Sequence, residues 1–228
     1  MKNNNSTSRH VIILLLSTLL ILFLLFPEII YTNQKFILHS KTISQYENKY
    51  GSQVRLQLNE WVDMINNVKG NELEILKYVN EFFNKMTFLD DIIHWKNDDY
   101  WATPAEFIAS GAGDCEDFSI SKFYTLIKMG IPEEKLTLTY VKSLTLNQAH
   151  MVVTYYPSKG GQPLILDNID KKIRPSVERK DLMPIYSVNG KGLWIAKQQG
   201  KGKFVGDGSN LQKWNELIAK VESEELGN

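Results

Sequence analysis

Between residues 54 and 86 apolar side chains recur every three or four positions, and from Leu136 onward the period changes to two. The first pattern predicts two amphipathic helices. One runs over 54–68, with Val54, Leu56, Leu58, Trp61, Val62 and Ile65 on its apolar face, and the other over 72–86, with Leu73, Leu76, Val79, Phe83 and Met86. Both are expected to pack a core. The stretch 90–101 that follows is polar and acidic and reads as a loop. Thr103-Pro104-Ala105-Glu106 then has the form of a capping box, with Thr103 as N-cap and Pro104 at the first helical position, opening a short helix that ends near Ser110. Gly111 and Gly113 permit a sharp reversal into a helix over 115–129, which Gly130 and Pro132 close. Residues 136–142, 149–156 and 164–167 read as strands, with weaker ones at 185–188 and 193–196. A last amphipathic helix is expected over 209–221, carrying Leu211, Trp214, Leu217, Ile218 and Val221, with a frayed acidic tail beyond it. Helices first and an antiparallel sheet after them predict an α+β domain.

Residues 11–26 break this pattern, being uncharged and almost wholly apolar behind a start that contains Lys2 and Arg9. Such a segment is an export signal or a membrane anchor. Sixteen residues span roughly 24 Å as a helix against a hydrocarbon core of about 30 Å, and Ile29, Ile30 and Tyr31 extend the span past Pro27 and Glu28. No small-x-small cleavage site follows the run, which favours an uncleaved anchor over 1–31. Residues 32–228 then form one globular domain outside the cytoplasm. Lys plus Arg number 26 and Asp plus Glu 26, so net charge is zero; with no basic run, nucleic acid is excluded as a partner.

Composition adds one further fact, that Cys115 is the only cysteine among 228 residues. A free thiol in an oxidising compartment requires either burial or a chemical role. Cys115 opens a predicted helix, where unpaired backbone N–H groups and the helix dipole favour thiolate. A cysteine nucleophile needs a base and a group to orient it. Of the four histidines, His10 belongs to the apolar segment, His39 lies in a stretch with no other chemical signal and His94 sits in the acidic loop. His150 begins a strand. A hairpin turn centred on Ser158-Lys159 would place His150 directly across from Asp167, on one face and within reach of its carboxylate. The inference depends on register, since a slip of one residue turns Asp167 to the other face. Asn168 and Asp170 are the fallback orienting groups. The expected assignment is Cys115 as nucleophile, His150 as general base and acid, and Asp167 as orienting carboxylate, with the Cys115 N–H and Trp101 at the oxyanion.

Asp114, Glu116 and Asp117 flank the thiol, and like charge opposes thiolate formation. Helix capping accounts for part of this arrangement. A bound cation accounts for more, and Ca²⁺ takes its ligands from carboxylates and carbonyls. Asp98 and Asp99, on the loop before the capped helix, are further candidate ligands.

The segments Trp101-x-Thr103-Pro104, Gly113-Asp114-Cys115-Glu116-Asp117-Phe118, Ala149-His150-Met151-Val152 and Leu166-Asp167-Asn168, then Gly192-Leu193-Trp194, resemble the bacterial transglutaminase-like cysteine proteinases, in particular their LapG type. The resemblance covers roughly residues 50–198 and implies a papain-like core, a cysteine-bearing helix packed on an antiparallel sheet. It implies a calcium-dependent periplasmic protease that cleaves the N-terminal region of a large surface adhesin near paired alanines, so releasing the cell from its biofilm. It further implies an inner-membrane receptor that senses cyclic di-GMP and sequesters the enzyme. Carried across, Cys115, His150 and Asp167 match the triad and Asp114, Glu116 and Asp117 the calcium cluster, while Asp98 and Asp99 match only approximately. Two alternatives stay open: transglutaminase or amidase chemistry on the same fold, and a non-catalytic calcium-binding module with a structural cysteine.

Overall fold

The computed structural model describes residues 35–189, 192–195, 203–206 and 212–227; the expected anchor over 1–31 lies outside them. Helices α1 (Ser40–Tyr50), α2 (Gln53–Asn67) and α3 (Glu72–Phe83) come first. A two-residue strand β1 (Thr87–Phe88), the short helix α4 (Asp91–His94), α5 (Pro104–Ser110) and β2 (Ala112–Gly113) lead into α6 (Cys115–Lys128). The sheet strands follow: β3 (Leu136–Ser143), β4 (Gln148–Tyr155), β5 (Leu164–Leu166), β6 (Arg174–Pro175), β7 (Leu182–Asn189), β8 (Gly192–Ile195) and β9 (Lys203–Gly206), and α7 (Gln212–Leu226) ends the chain. Seven strands form one antiparallel sheet in the order β6-β5-β4-β3-β7-β8-β9. The fold is α+β, with the cysteine-bearing helix packed on the sheet.

Helix α6 is central because it is apolar on several sides. Phe118, Ile120, Phe123 and Leu126 are buried among Leu136, Leu138, Met151, Val153 and Leu166 of the sheet and the inward stripes of α2 and α3. Of its buried polar groups, Thr125 Oγ1 accepts from Trp61 Nε1 at 2.9 Å and Ser119 Oγ donates to the Met151 carbonyl at 2.9 Å, while Ser121 Oγ has no hydrogen-bond partner among the described residues.

The two leading stripes are real but rotated from the expected ones. Leu56 and Leu73 are exposed, while Met64 and Ile75 take core positions. α3 stops at Phe83 rather than 86, capped at its start by a reciprocal Asn71–Glu74 box. The chain end is also more ordered than its acidic composition implies. α7 continues to Leu226 because Glu224 accepts from Tyr46 and Thr103 and Glu225 from Tyr124 and Lys128.

The hairpin register differs from the expected one. Val153 pairs with Leu166, Thr154 with Ile165 and Tyr155 with Leu164, two residues away from the pairing that sets His150 against Asp167. The turn is centred on Lys159-Gly160, where Gly160 supplies a φ of +84°. A shift of two keeps parity, so Asp167 stays on the His150 face and meets it diagonally, one residue beyond the end of β5.

Candidate active site

Cys115 is the first residue of α6, and Asp114 is its N-cap. Asp114 Oδ1 accepts the Glu116 N–H at 3.1 Å and Asp117 Oδ2 accepts the Asp114 N–H at 3.3 Å, so the two carboxylates close the helix start reciprocally. Asp117 does more: its oxygens also take the Ala102 N–H at 2.8 Å and Trp95 Nε1 at 3.0 Å, fastening the loop before α5 to the cysteine helix. Gly113 has to be glycine here, since a Cβ would lie 2.2 Å from Asp117 Oδ2.

The Cys115 thiol lies 2.7 Å from Glu116 Oε2 and accepts the backbone N–H of Met151, the residue after His150. Burial, then the charges of Glu116 and Asp114, push the thiol well above its ordinary value, against the favourable Met151 N–H. With the carboxylates uncompensated, the thiol keeps its proton.

His150 is 2% exposed and its Nε2 lies 2.8 Å from Oδ1 of Asp167, itself 1% exposed. Burial works to raise the Asp167 carboxyl, but hydrogen bonds from His150, the Ile169 N–H and Arg179 outweigh it and hold the group well below the usual carboxylate range. An ionised carboxylate only accepts, so His150 Nε2 carries the hydrogen and Nδ1 is left as the basic nitrogen. Behind this pair, the Asp167 carbonyl accepts from Lys122 Nζ at 2.9 Å and Asn84 Nδ2 at 3.0 Å.

The carboxylates divide into two groups that share Asp114. Ligand atoms of Asp91, Asp114 and Asp117 lie within 4.8 Å of one another, as do those of Asp114, Cys115 and Glu116. Asp91 has no place among the expected ligands because its surroundings read as loop; the structure buries it, with Oδ2 accepting the Tyr100 N–H and Oδ1 without a hydrogen-bond partner among the described residues. Asp98 and Asp99, by contrast, are exposed and lie in neither group, and Asp99 pairs with Lys213. Burial and mutual repulsion push Asp114 up to about 9, burial pushes Asp117 up to about 7, and burial raises Asp91 as well. Converging oxygens, one of them buried and unpartnered, fit a hard divalent cation such as Ca²⁺. The indole Nε1 of Trp101 is likewise buried without a partner among the described residues.

Residues 42–199 match the family described as bacterial transglutaminase-like cysteine proteinase BTLCP. The chain belongs to this family. Among solved structures, Legionella pneumophila LapG is 40% identical, covering 82% of this chain and 99% of that one, with a TM-score of 0.69. The EGTA-treated form of that protein is 41% identical over 82% of this chain and 100% of its own, also at 0.69, and the calcium-bound form is 41% identical over 79% and 98%, at 0.67. A search of curated proteins finds no match. This transglutaminase-like cysteine proteinase is therefore LapG-like in fold and family, and its carboxylate cluster stands beside Cys115, in a chain similar to a protein whose structure has been solved with calcium bound. Among the described residues no helix is long and apolar enough to cross a membrane.

Proposed function

We propose that this proteinase is a calcium-dependent endopeptidase acting in the periplasm, and that it cleaves the N-terminal region of a large surface adhesin near paired alanines, with Cys115, His150 and Asp167 as its triad. The observation that carries the reading is the buried His150–Asp167 pair at 2.8 Å, on the strand whose next N–H touches the lone thiol. His150 Nδ1 takes the thiol proton and Cys115 Sγ attacks the scissile carbonyl carbon. The oxyanion so formed lies against the Cys115 N–H, which has no helical acceptor, and Trp101 Nε1. The imidazolium returns its proton to the leaving amine, giving a thioester, and a water activated by His150 then releases the acid and the free thiol.

Asp114, Glu116 and Asp117, joined by Asp91 in place of Asp98 and Asp99, are the proposed calcium ligands. Ca²⁺ bound there offsets the negative charge that keeps the thiol protonated. The apolar segment over 11–31 tethers the enzyme to the inner membrane, where a cyclic di-GMP receptor is the proposed regulator. The test incubates an adhesin N-terminal fragment with wild type and Cys115→Ala, each with and without EGTA. Cleavage by wild type alone, abolished by EGTA, is expected; undiminished cleavage by Cys115→Ala overturns the assignment. Incorporation of a labelled amine into a glutamine donor, in place of hydrolysis, would reassign the reaction to transamidation.

A further inference from the structure

We propose that Arg179, clamped by Asp181, is a positioning residue that fixes the Asp167 carboxylate and through it the His150 ring. The inference rests on the triad reading above. Arg179 lies in the connection between β6 and β7 and is 6% exposed. Its Nη2 lies 2.7 Å from Asp167 Oδ2, while Nε and Nη2 reach the two oxygens of Asp181 at 3.0 and 2.8 Å. The two oxygens of Asp167 are thus divided. Oδ1 serves His150 and the Ile169 N–H, and Oδ2 serves Arg179. Rotation of the carboxylate about its Cβ–Cγ bond would break both contacts at once, so the guanidinium sets the plane in which Oδ1 faces the imidazole.

The clamp itself is anchored. The Arg179 N–H bonds the Ser176 carbonyl at 3.1 Å, the Arg179 carbonyl accepts from Leu182 at 3.2 Å, and the Asp181 carbonyl accepts from Leu144 at the β3–β4 hairpin tip at 2.7 Å. Charge explains why Asp181 is needed. Asp167 and Arg179 alone cancel, which would leave an imidazolium at His150 without a counter-charge. With Asp181 the three sum to one negative charge, matching the protonated ring formed during catalysis. The other charged groups around Asp167 and its clamp are Lys122 from α6, Lys171 beyond it, and Asp170, and none of them bonds the Asp167 carboxylate.

A double-mutant cycle on the full chain tests this, using cleavage of the adhesin N-terminal fragment in calcium. Arg179→Ala is expected to lower kcat by roughly 30-fold or more with KM within about twofold, and Arg179→Lys, which keeps one donor to Oδ2, to recover part of the loss. In the Asp167→Asn background Arg179→Ala should cost less than about threefold more, because its effect runs through the same carboxylate. Asp181→Asn, milder for folding, should show the same pattern at smaller size, and carries the cycle if Arg179→Ala does not fold. Losses that multiply in the Asp167→Asn background, or a rise in KM alone, overturn the positioning role. Full activity of Asp167→Asn beside a dead Cys115→Ala overturns the triad reading itself, and the role of Arg179 with it. Iodoacetamide alkylation of Cys115 in the same variants gives a readout free of peptide substrate. Slower alkylation in Arg179→Ala, absent in the Asp167→Asn background, supports the proposal even where the adhesin fragment is not cut; equal slowing in both backgrounds overturns it.

Discussion

Lys122 Nζ sits 2.9 Å from the backbone carbonyl of Asp167 and 2.8 Å from Asn84 Oδ1, so the helix that begins with Cys115 holds the chain at the point where Asp167 leaves β5. Two turns of α6 separate Cys115 from Lys122. Cys115 and Asp167, the proposed nucleophile and orienting carboxylate, are therefore fixed to one rigid element.

This buried lysine makes stability depend on pH in a definite direction. Burial pushes its ammonium down to about 7, against the attraction of Asp167. In the unfolded chain lysine titrates near ~10.4, so between those values the unfolded state binds the extra proton and stability rises with pH, by up to about 1.4 kcal/mol per unit. Lys122→Met keeps most of the stem and removes the titration. Urea unfolding of both proteins from about pH 7 to about pH 9 should show wild type gaining on the variant as pH rises. A difference that stays flat rejects the buried, neutral lysine.

Asp167→Asn leaves an amide where only an acceptor fits both His150 and Arg179. One of its faces must present N–H to a donor, so the His150 tautomer is lost along with the counter-charge. A loss of about 10² to 10⁴ in kcat is expected, with KM little changed. Stopped cleavage assays on the adhesin fragment measure it. The ionised carboxylate also stabilises the fold: its native value lies below the unfolded one near ~3.9, so its contribution is present above that value and fades only as pH falls further. Wild type should outlast Asp167→Asn in mild acid.

Much of this architecture is written in local pattern. The cysteine helix, the hairpin and the approach of His150 to Asp167 follow from periodicity and turn residues. The hairpin register did not, because Pro157-Ser158-Lys159-Gly160-Gly161-Gln162-Pro163 offers several turn centres of equal local merit. The parity that puts Asp167 on the right face survived, since the shift was even. Asp91, Lys122 and Arg179 were not legible for a different reason. Each is a charged residue in a locally polar or ambiguous setting, and its burial is created by partners distant in sequence, such as Asp167 for Lys122 and Arg179. α1 lies outside the expected helices as well: its apolar residues are few, Ile43, Tyr46 and Tyr50, and Thr42 is held by the far end of α7.

Trp101 offers a sharper test of the oxyanion site. Its indole N–H is buried with no partner among the described residues, a cost that a developing oxyanion would offset. Trp101→Phe keeps the aromatic bulk and deletes the donor. The expected fall in kcat is about 10² to 10³, with the rate of Cys115 alkylation by iodoacetamide unchanged because no oxyanion forms in that reaction. Equal losses in both assays would place Trp101 in thiol activation or packing instead.

The acidic cluster predicts opposite signs for one substitution with and without calcium. In the ion-free protein Asp91 is buried, its carboxyl raised by burial, and its Oδ1 unpartnered, so Asp91→Asn removes a destabilising charge and the EDTA-treated variant should melt at or above wild type. Added calcium should then raise the Tm of wild type more than that of Asp91→Asn, since the variant has lost a charged ligand and binds roughly tenfold more weakly. Asp98→Asn with Asp99→Asn should leave the calcium increment unaltered. Proton release follows the same logic. Asp114 and Asp117, pushed up to about 9 and about 7 while uncompensated, must shed protons when the cation arrives, so affinity rises with pH over that interval. Calorimetry in two buffers of different ionisation enthalpy counts those protons; binding that releases none, or an Asp91→Asn increment equal to wild type, would remove these carboxylates from the site.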